Sequence, residues 1–160
     1  MLINKIILFS KKEEMYKIIL IFIFGHGGIF STAQKSPDEI CKIWYNGEKT
    51  AKIQIYKIGL KYFGKIIWLK HSKDKYGKDK LDVNNPDINK RTDNVIGSLM
   101  LTNFTYKGGN RYENGEIYDG RNGKTYTCIL TLESDSKLKV RGFIGLILFG
   151  KTDIWTTSKI

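Results

Sequence analysis

The chain has 160 residues, with two histidines, two cysteines and a formal net charge of +11 at pH 7. That length is enough for one domain and little else. The few histidines and cysteines do not have zinc-ligand spacing, and a hydrolytic triad would depend on His71 without a serine or cysteine in a nucleophile motif. The basic charge favours anionic surroundings such as envelope lipids, polyanions or anionic ligands, although a lysine-rich composition alone also gives a basic surface.

The first 33 residues are typical of a secretory signal peptide. Residues 18–24 form an apolar run that is short for a bilayer span, and Ser31-Thr32-Ala33 places small residues where a signal peptidase reads them. We therefore expect cleavage after Ala33, with Met15 as an alternative start, and export to the periplasm or the cell exterior. A retained N-terminal membrane anchor is the alternative interpretation.

The mature domain, residues 34–160, keeps both cysteines and most of the charge. Residues 1–33 hold four lysines and two glutamates, so their removal lowers the net charge from +11 to +9. An oxidising compartment permits one disulfide between Cys41 and Cys128. The two lie on different predicted strands whose registers the sequence does not fix, so the bond stays an open alternative.

Most of the mature domain has the alternating pattern of β-strands. In residues 125–132, for example, Tyr126, Cys128, Leu130 and Leu132 share one face, opposite Ile129 and three threonines. A period of two residues indicates strands with one wet and one dry face. The predicted strands are residues 40–45, 51–58, 60–70, 96–104, 111–118, 125–132, 137–144 and 146–155.

Turn signals separate these strands. Asn-Gly pairs, which favour tight hairpin turns, occur at 46–47 and 122–123. Turns are also indicated by Gly108-Gly109-Asn110, by a polar cluster at 133–137 and by Gly145, which separates two apolar runs. Sequence neighbours joined without helical crossovers predict an all-β antiparallel meander. Eight such strands close well into an up-and-down barrel, which removes exposed edges. An open sandwich is the alternative.

Residues 71–95 are polar, lysine-rich and long for a loop inside a compact domain, which is typical of a functional or partly disordered segment. Lysines flank Tyr76, as in proteins that bind single-stranded nucleic acid. Asp74 and Asp79 interrupt this run, and an exported protein seldom meets nucleic acid. We expect a solvated loop and no nucleic-acid partner.

Two tryptophans belong to strands that would be neighbours in a closed barrel. Trp44 is on the first predicted strand and Trp155 on the last. Arg141 is on the adjacent predicted strand, and its guanidinium could stack on one of the two indoles. The two tryptophans and Arg141 are therefore candidates for closing one end of the barrel. Ordinary core packing is the alternative.

A set of short motifs is spread over the mature domain. They are Trp44, Gly64-Lys65-Ile66, the D-x-x-N-P of residues 82–86, Gly97, residues 115–119, 123–126 and 138–142, Gly145, residues 150–152 and Trp155. Together, from about Ile43 to Trp155, they resemble the bacterial exported family catalogued as domain of unknown function 2147, whose members are small lipocalin-like proteins. The resemblance implies a lipocalin-like barrel and no settled activity. The chain departs from the family pattern at Lys42, Gly120 and Thr156-Thr157, where glycine, proline and arginine are usual.

The resemblance gives weight to Asp82, Asn85 and Pro86. Asp and Asn side chains fix loops by bonding nearby backbone, so we interpret this motif as a structured loop across a barrel mouth. Direct contact with a ligand is the alternative.

A second group contains the candidate ligand-binding residues Tyr118, Lys124, Tyr126 and Arg141. They lie on neighbouring predicted strands and could anchor a carboxylate or phosphate head above an apolar cavity. Hydrogen bonds among themselves, sealing the barrel end, are the alternative.

The sequence thus predicts an exported, monomeric, eight-stranded lipocalin-like barrel that binds a small amphipathic or apolar ligand, such as an acyl chain, without catalysis. No metal and no cofactor are expected. The alternative function is a barrel without a cavity that binds an envelope partner or an anionic surface through its lysine-rich face.

The predicted signal peptide can be tested on the exported protein. We expect its N-terminal peptide to begin at Gln34, and Ala33→Arg to block processing because the peptidase needs a small residue there. Mass spectrometry of the N-terminal peptide measures both. Mature protein that still carries residues 18–24 would instead support the membrane anchor.

Overall fold

The computed structural model describes residues 36–158, and the predicted signal peptide lies outside the described residues. A short 3-10 turn, Pro37–Ile40, precedes eight strands. No helix in this described part of the chain is long and apolar enough to cross a membrane. The strands are β1 (Ile43–Tyr45), β2 (Ala51–Ile58), β3 (Lys61–Leu69), β4 (Leu99–Tyr106), β5 (Arg111–Asp119), β6 (Lys124–Ser134), β7 (Lys137–Phe143) and β8 (Gly150–Thr157).

The strands form a closed antiparallel barrel whose strand order follows the sequence. Each strand pairs with its predecessor, and β8 returns to β1 through the pairs Trp44↔Thr157 and Tyr45↔Thr156. The predicted all-β up-and-down barrel is confirmed, and the open sandwich is wrong. Closure pairs the two strands that would otherwise be sheet edges.

Strand alternation fills the barrel interior with apolar side chains. On β6 and β7 the predicted inward residues Cys128, Leu130, Leu132, Leu138 and Val140 are all buried. Both cysteines are free thiols, so the disulfide left open by the sequence is not formed. Burial raises the pKa of the Cys128 thiol to about 12. The other buried apolar residues are Ile40, Trp44, Ala51, Ile53, Ile55, Tyr62, Leu101, Phe104, Tyr112 and Trp155.

Inward-facing glycines make room for large neighbours. A Cβ at Gly115 would lie 2.4 Å from the Phe104 ring, and a Cβ at Gly64 would lie 2.9 Å from Leu101. Higher in the barrel, a Cβ at Gly142 would lie 3.3 Å from Ile117. Glycine on one strand therefore receives a bulky side chain from another. The interior up to this level is a packed core.

The 3-10 turn plugs one end of the barrel. Its Ile40 is fully buried, and the Trp44 indole donates to the Ile40 carbonyl at 2.9 Å. The Tyr112 hydroxyl donates to the Pro37 carbonyl at 2.6 Å, and the Tyr62 hydroxyl donates to Asp38 at 2.7 Å. The predicted first strand, residues 40–45, therefore begins late, because residues 37–40 are used to cover the core. We call this end the plugged end; it also carries the β2–β3, β4–β5 and β6–β7 turns.

The opposite end, here called the loop end, carries the β1–β2 turn, the long β3–β4 connection, the β5–β6 turn and the β7–β8 connection. The last of these corrects the sequence prediction. Residues 146–155 were predicted as one strand, but β8 begins only at Gly150 and residues 147–149 form a 3-10 turn. The run from Ile144 to Phe149 is exposed instead of paired.

A bulge changes the facing of one predicted residue. The register between β2 and β3 shifts beside Lys52, so Ile66 pairs with Ile53 on the inside, whereas Trp68 pairs with Lys52 on the outside. Trp68 then packs edge-to-face on Tyr45 with ring centroids 6.0 Å apart. Strict alternation along the predicted strand 60–70 would put Trp68 on the same face as Ile66, but one extra residue reverses the alternation.

The β1–β8 seam is short, and a carboxylate reinforces it. Asp153 on β8 accepts hydrogen bonds from the Trp155 indole at 2.8 Å and from the Gly47 amide at 3.2 Å, so it ties the first hairpin to the last strand. A Cβ at residue 47 would lie 2.0 Å from a carboxylate oxygen of Asp153. The Asn-Gly turn therefore needs its glycine for this close approach.

The seam makes a prediction about coupled substitutions. Asp153→Ala should lower the free energy of unfolding by about 1–3 kcal/mol, because it leaves the largely buried Trp155 indole without its acceptor. Gly47→Ala should also destabilise the barrel, but less in the Asp153→Ala background, where the colliding oxygens are gone. Denaturant unfolding followed by tryptophan fluorescence measures the free energy of unfolding of the wild type, the two single variants and the double variant. Strictly additive costs would contradict this account of the seam.

Candidate ligand site at the loop end of the barrel

The long β3–β4 connection is fastened to the barrel wall by Asp82. This carboxylate is 4% exposed, and it accepts hydrogen bonds from the Tyr118 hydroxyl at 2.8 Å and from the Asn85 side-chain amide at 2.7 Å. The Asp82 carbonyl also accepts from the Asn85 backbone amide at 2.9 Å. Both carboxylate oxygens and the backbone therefore hold the D-x-x-N-P motif as an ordered turn.

The same connection contacts the β5–β6 turn directly. The Asn84 side chain donates to the carbonyls of Gly120 and Arg121 at 3.1 and 3.0 Å. A Cβ at Gly123 would lie 2.0 Å from the Asn84 carbonyl oxygen, and Gly123 has a φ of +69°. Glycine is required there by both backbone conformation and space. Pro86 is exposed in the segment that follows.

The structure separates the four candidate ligand-binding residues. Tyr118 and Arg141 lie on the outer faces of β5 and β7, whereas strand alternation puts Lys124 and Tyr126 on the inner face of β6. Tyr118 is used by Asp82, and the Tyr126 hydroxyl accepts from the Asn122 side chain at 3.1 Å. The four do not form one cluster and do not bond one another.

Arg141 supports the β7–β8 connection. Its guanidinium donates to the Ile147 carbonyl at 2.6 and 3.1 Å, to the Leu148 carbonyl at 3.4 Å and to the Thr152 hydroxyl at 2.8 Å. Trp44 and Trp155 are both buried inside the barrel. The expected stacking of the Arg141 guanidinium on an indole is therefore not formed, because alternation puts Arg141 on the outside.

Charged residues surround the inner rim of the loop end. Asp119 accepts two hydrogen bonds from the Arg121 guanidinium, at 2.9 and 3.0 Å, and one from the Arg121 backbone amide at 3.1 Å. These bonds hold the pKa of Asp119 below its usual value. Lys151 pairs with the inward-facing Gly142 and lies close enough to lower the same pKa further. Lys124 pairs with Asp119 across the ladder. The rim thus combines two lysines with Asp119, whose charge Arg121 compensates, and with Glu48 and Asp153, which also lie close enough to act on Arg121.

Exposed apolar side chains concentrate at this end. Among residues 36–158, Ile58 and Leu60 are the only large exposed hydrophobics at the plugged end. Sequence reasoning missed the part of this concentration at residues 146–149 because it placed them in a strand. The signal there was the apolar run itself, which does not alternate. The exposed residues of the loop end are Trp68, Tyr76, Leu81, Val83, Ile88, Ile96, Leu99, Ile144, Leu146, Ile147, Leu148 and Phe149.

The best-formed depressions of the described residues are shallow and open. One of about 410 Å³ lies beside β1 and is lined by Cys41, Gln54 and Thr157, and one of about 210 Å³ lies within the long connection beside Ser72 and Asn94. Neither is lined by Lys124, Tyr126 or Lys151. The apolar cavity expected beneath the head-group residues is not formed within residues 36–158, because core side chains fill the interior.

These features define a class of protein. A closed eight-stranded meander is the architecture of lipocalin-like barrels. Among solved structures, the chain is similar to protein HP1028 from the human pathogen Helicobacter pylori, which is described as belonging to the lipocalin family. The TM-score is 0.64, with 21% sequence identity over 75% of this chain and 83% of that chain. At this identity the similarity shows the fold alone.

The family follows from the sequence match. A family model matches residues 42–157, and the chain belongs to that family, described as an uncharacterized protein conserved in bacteria (DUF2147). The resemblance inferred from the motifs is confirmed. A search of curated proteins gives no significant match. The family description names no activity, so the geometry of the barrel provides the functional evidence.

The contact between Tyr118 and Asp82 makes a stability prediction. Tyr118→Phe should lower the free energy of unfolding at neutral pH by about 1–3 kcal/mol, because it removes one hydrogen bond to a buried carboxylate. Burial, and then the Asp82 contact, raise the pKa of Tyr118 from 10.0 to about 12. The folded state therefore favours the protonated phenol, so this stability is complete below pH 10 and is lost as the pH rises towards 12.

The variant should accordingly lose less stability than the wild type between pH 10 and 12. Denaturant midpoints measured across that range test this. Tyr76→Phe is the matched control, because Tyr76 is 75% exposed and its ring contact with Lys75 does not need the hydroxyl. If the wild type and Tyr118→Phe lost the same stability between pH 10 and 12, the Tyr118–Asp82 hydrogen bond would not be the source of this pH dependence.

Proposed function

We propose that this protein is a non-catalytic binding protein for a small amphipathic molecule carrying an anionic head and an apolar tail. The observation that supports it is the asymmetry of the barrel: one end is sealed by residues 37–40, whereas exposed apolar side chains gather at the other. Apolar surface with a few converging polar groups is typical of small-molecule sites. The lipocalin-like fold is consistent with ligand binding in general.

The head group would lie at the inner rim. Lys124 and Lys151 flank Asp119, whose charge is already compensated by Arg121. Neither lysine ammonium makes a hydrogen bond or ion pair within residues 36–158. Glu48 and Asp153 also lie near Arg121. The two lysine ammoniums are nevertheless available as donors, which favours a carboxylate or phosphate head.

The tail would lie along the apolar rim. A Cβ at Gly142 would lie only 3.3 Å from Ile117, and buried side chains fill the barrel below this level, which leaves no space there for an acyl chain. Tyr126 and Leu99 stand above this level and are partly or largely exposed. A tail covering such side chains gains free energy in proportion to the apolar area removed from water.

A binding role also agrees with the state of the nucleophile candidates. The Cys128 thiol is buried, with its pKa raised to about 12, so it stays protonated and unreactive. The Asp82 carboxylate is occupied by Tyr118 and Asn85. We propose that binding takes place after export, in the periplasm or outside the cell, following cleavage near Ala33, with the protein as a monomer.

Titration with laurate below its critical micelle concentration tests the proposal. We expect saturable binding by the wild type, and affinity lower by about tenfold or more in Lys124→Glu/Lys151→Glu, since each 1.4 kcal/mol of lost head-group interaction is a factor of ten. Isothermal titration calorimetry measures both. Dodecylamine, with the opposite head charge, should bind the double variant better than the wild type.

Lys61→Glu/Lys107→Glu is the matched control. It makes the same charge change at the plugged end, where both side chains are exposed. Equal weakening in both double variants would show that laurate senses only net charge. No binding of laurate or dodecylamine by the wild type, together with a clean mass in native mass spectrometry of protein from its own envelope, would overturn the proposed function.

A further inference from the structure

The β7–β8 connection ends in a tip of five exposed apolar side chains: Ile144, Leu146, Ile147, Leu148 and Phe149. Leu148 is 80% exposed and Phe149 78%, which is far from what a core segment shows. Such a continuous apolar surface marks an interaction site. We infer that this apolar tip inserts into the interface of an anionic lipid bilayer and docks the loop end of the barrel on a membrane.

Three backbone carbonyls of the apolar tip are hydrogen-bonded within the protein. Polar backbone groups that enter lipid must be hydrogen-bonded within the protein. The Phe149 amide donates to the Leu146 carbonyl at 3.0 Å. The next two carbonyls, of Ile147 and Leu148, both accept from Arg141. Three consecutive carbonyls are thus satisfied while their side chains stay outside.

Gly145 allows the chain to turn into this shape. Its φ is +67°, a conformation that favours glycine, and nothing lies within 4 Å of the position a Cβ would take. The glycine is therefore needed for backbone conformation and not for packing. Arg141 on one side and Gly145 on the other fix the apolar tip in its exposed arrangement.

The charges beside the apolar tip fit an anionic surface. Residues 136–152 contain Lys137, Lys139, Arg141 and Lys151 and no acidic residue. Lys137 is occupied by Glu133 near the plugged end, and Lys151 lies near Asp119 and shares β8 with Asp153. Lys139 and Arg141 are on β7, which contains no acidic residue. Interfacial insertion is strengthened by both apolar burial and attraction to anionic lipids. The basic flanks therefore favour anionic over zwitterionic bilayers.

A bilayer fits the apolar tip better than a second copy of the chain does. A stable protein interface takes roughly 20–30 residues a side, whereas the tip is one short protruding connection. Its five side chains are all exposed at the loop end of the barrel. The inference is independent of the amphiphile site, although a membrane would be a natural source for such a ligand.

Sedimentation with lipid vesicles tests the inference. We expect the wild type to bind vesicles of phosphatidylcholine mixed with phosphatidylglycerol, and to bind pure phosphatidylcholine less. Leu148→Asp/Phe149→Asp should reduce the partition coefficient by about tenfold or more, because two apolar groups become charged. Both side chains are exposed, so folding should be unaffected. Raised salt should weaken wild-type binding to the anionic vesicles.

Ile58→Asp/Leu60→Asp is the matched control. These side chains are 60% and 83% exposed at the plugged end, and the change has the same chemistry. We expect this variant to bind vesicles like the wild type. All variants share one N-terminus, so any contribution of residues 1–35 cancels.

The depth of insertion of the apolar tip is measured with Phe149→Trp, from the quenching of its tryptophan fluorescence by brominated acyl chains. Insertion predicts quenching beyond that of the wild type. No vesicle binding by the wild type, or equal loss in both aspartate double variants, overturns the inference. So does a concentration-dependent dimer that Leu148→Asp/Phe149→Asp abolishes, which would assign the tip to a second copy. Laurate titration separates the two proposals. Retained laurate binding with lost vesicle binding in Leu148→Asp/Phe149→Asp supports both, whereas a wild type that binds vesicles but not laurate contradicts only the amphiphile site.

Discussion

Closure of the sheet is the constraint on which the rest of this structure depends. β1 has three residues and meets β8 through two residue pairs, so the backbone ladder at the seam is small. The Asp153 carboxylate adds to it by joining the Trp155 indole to the Gly47 amide across the seam. Because both tryptophans of the seam are buried, the polar contact and the apolar core support each other there. The barrel is closed by side chains as much as by backbone pairing.

A barrel closed this tightly places its function at one end. Glycines opposite Leu101, Phe104 and Ile117 let the interior fill with side chains, and residues 37–40 cover one end. The end that stays accessible is the loop end, which carries the long irregular connections. There the β3–β4 connection is fixed by buried Asp82, and the β7–β8 connection is fixed by Arg141. Asp82 and Arg141 each order one connection, so the exposed apolar side chains of these two connections are held in defined positions.

Sequence patterns predicted most of this fold because local rules determine it. Alternation in β6 and β7 gave the inward set correctly, and Asn-Gly and Gly-Gly-Asn turns marked the reversals. The errors lie where one residue interrupts a rule. A bulge beside Lys52 turned Trp68 outward, and the apolar run at 144–149 left the sheet although its composition favours a strand. Alternation along one strand does not reveal an inserted residue, and hydrophobicity alone does not show whether an apolar run is buried in the core or exposed at the surface.

The sequence by itself determined the class of fold and the family, because turn residues, a period of two and short motifs are local properties of the chain. It also named Asp82, Asn85, Tyr118, Lys124, Tyr126 and Arg141 as residues of interest. Only the tertiary structure decided what each one contacts. Tyr118 and Arg141 differ from Lys124 and Tyr126 in which face of the barrel they occupy, and that depends on registers set by bulges between distant strands. Which face of the barrel a side chain occupies depends on how its strand pairs with its neighbours, and the sequence of one strand alone does not determine that pairing.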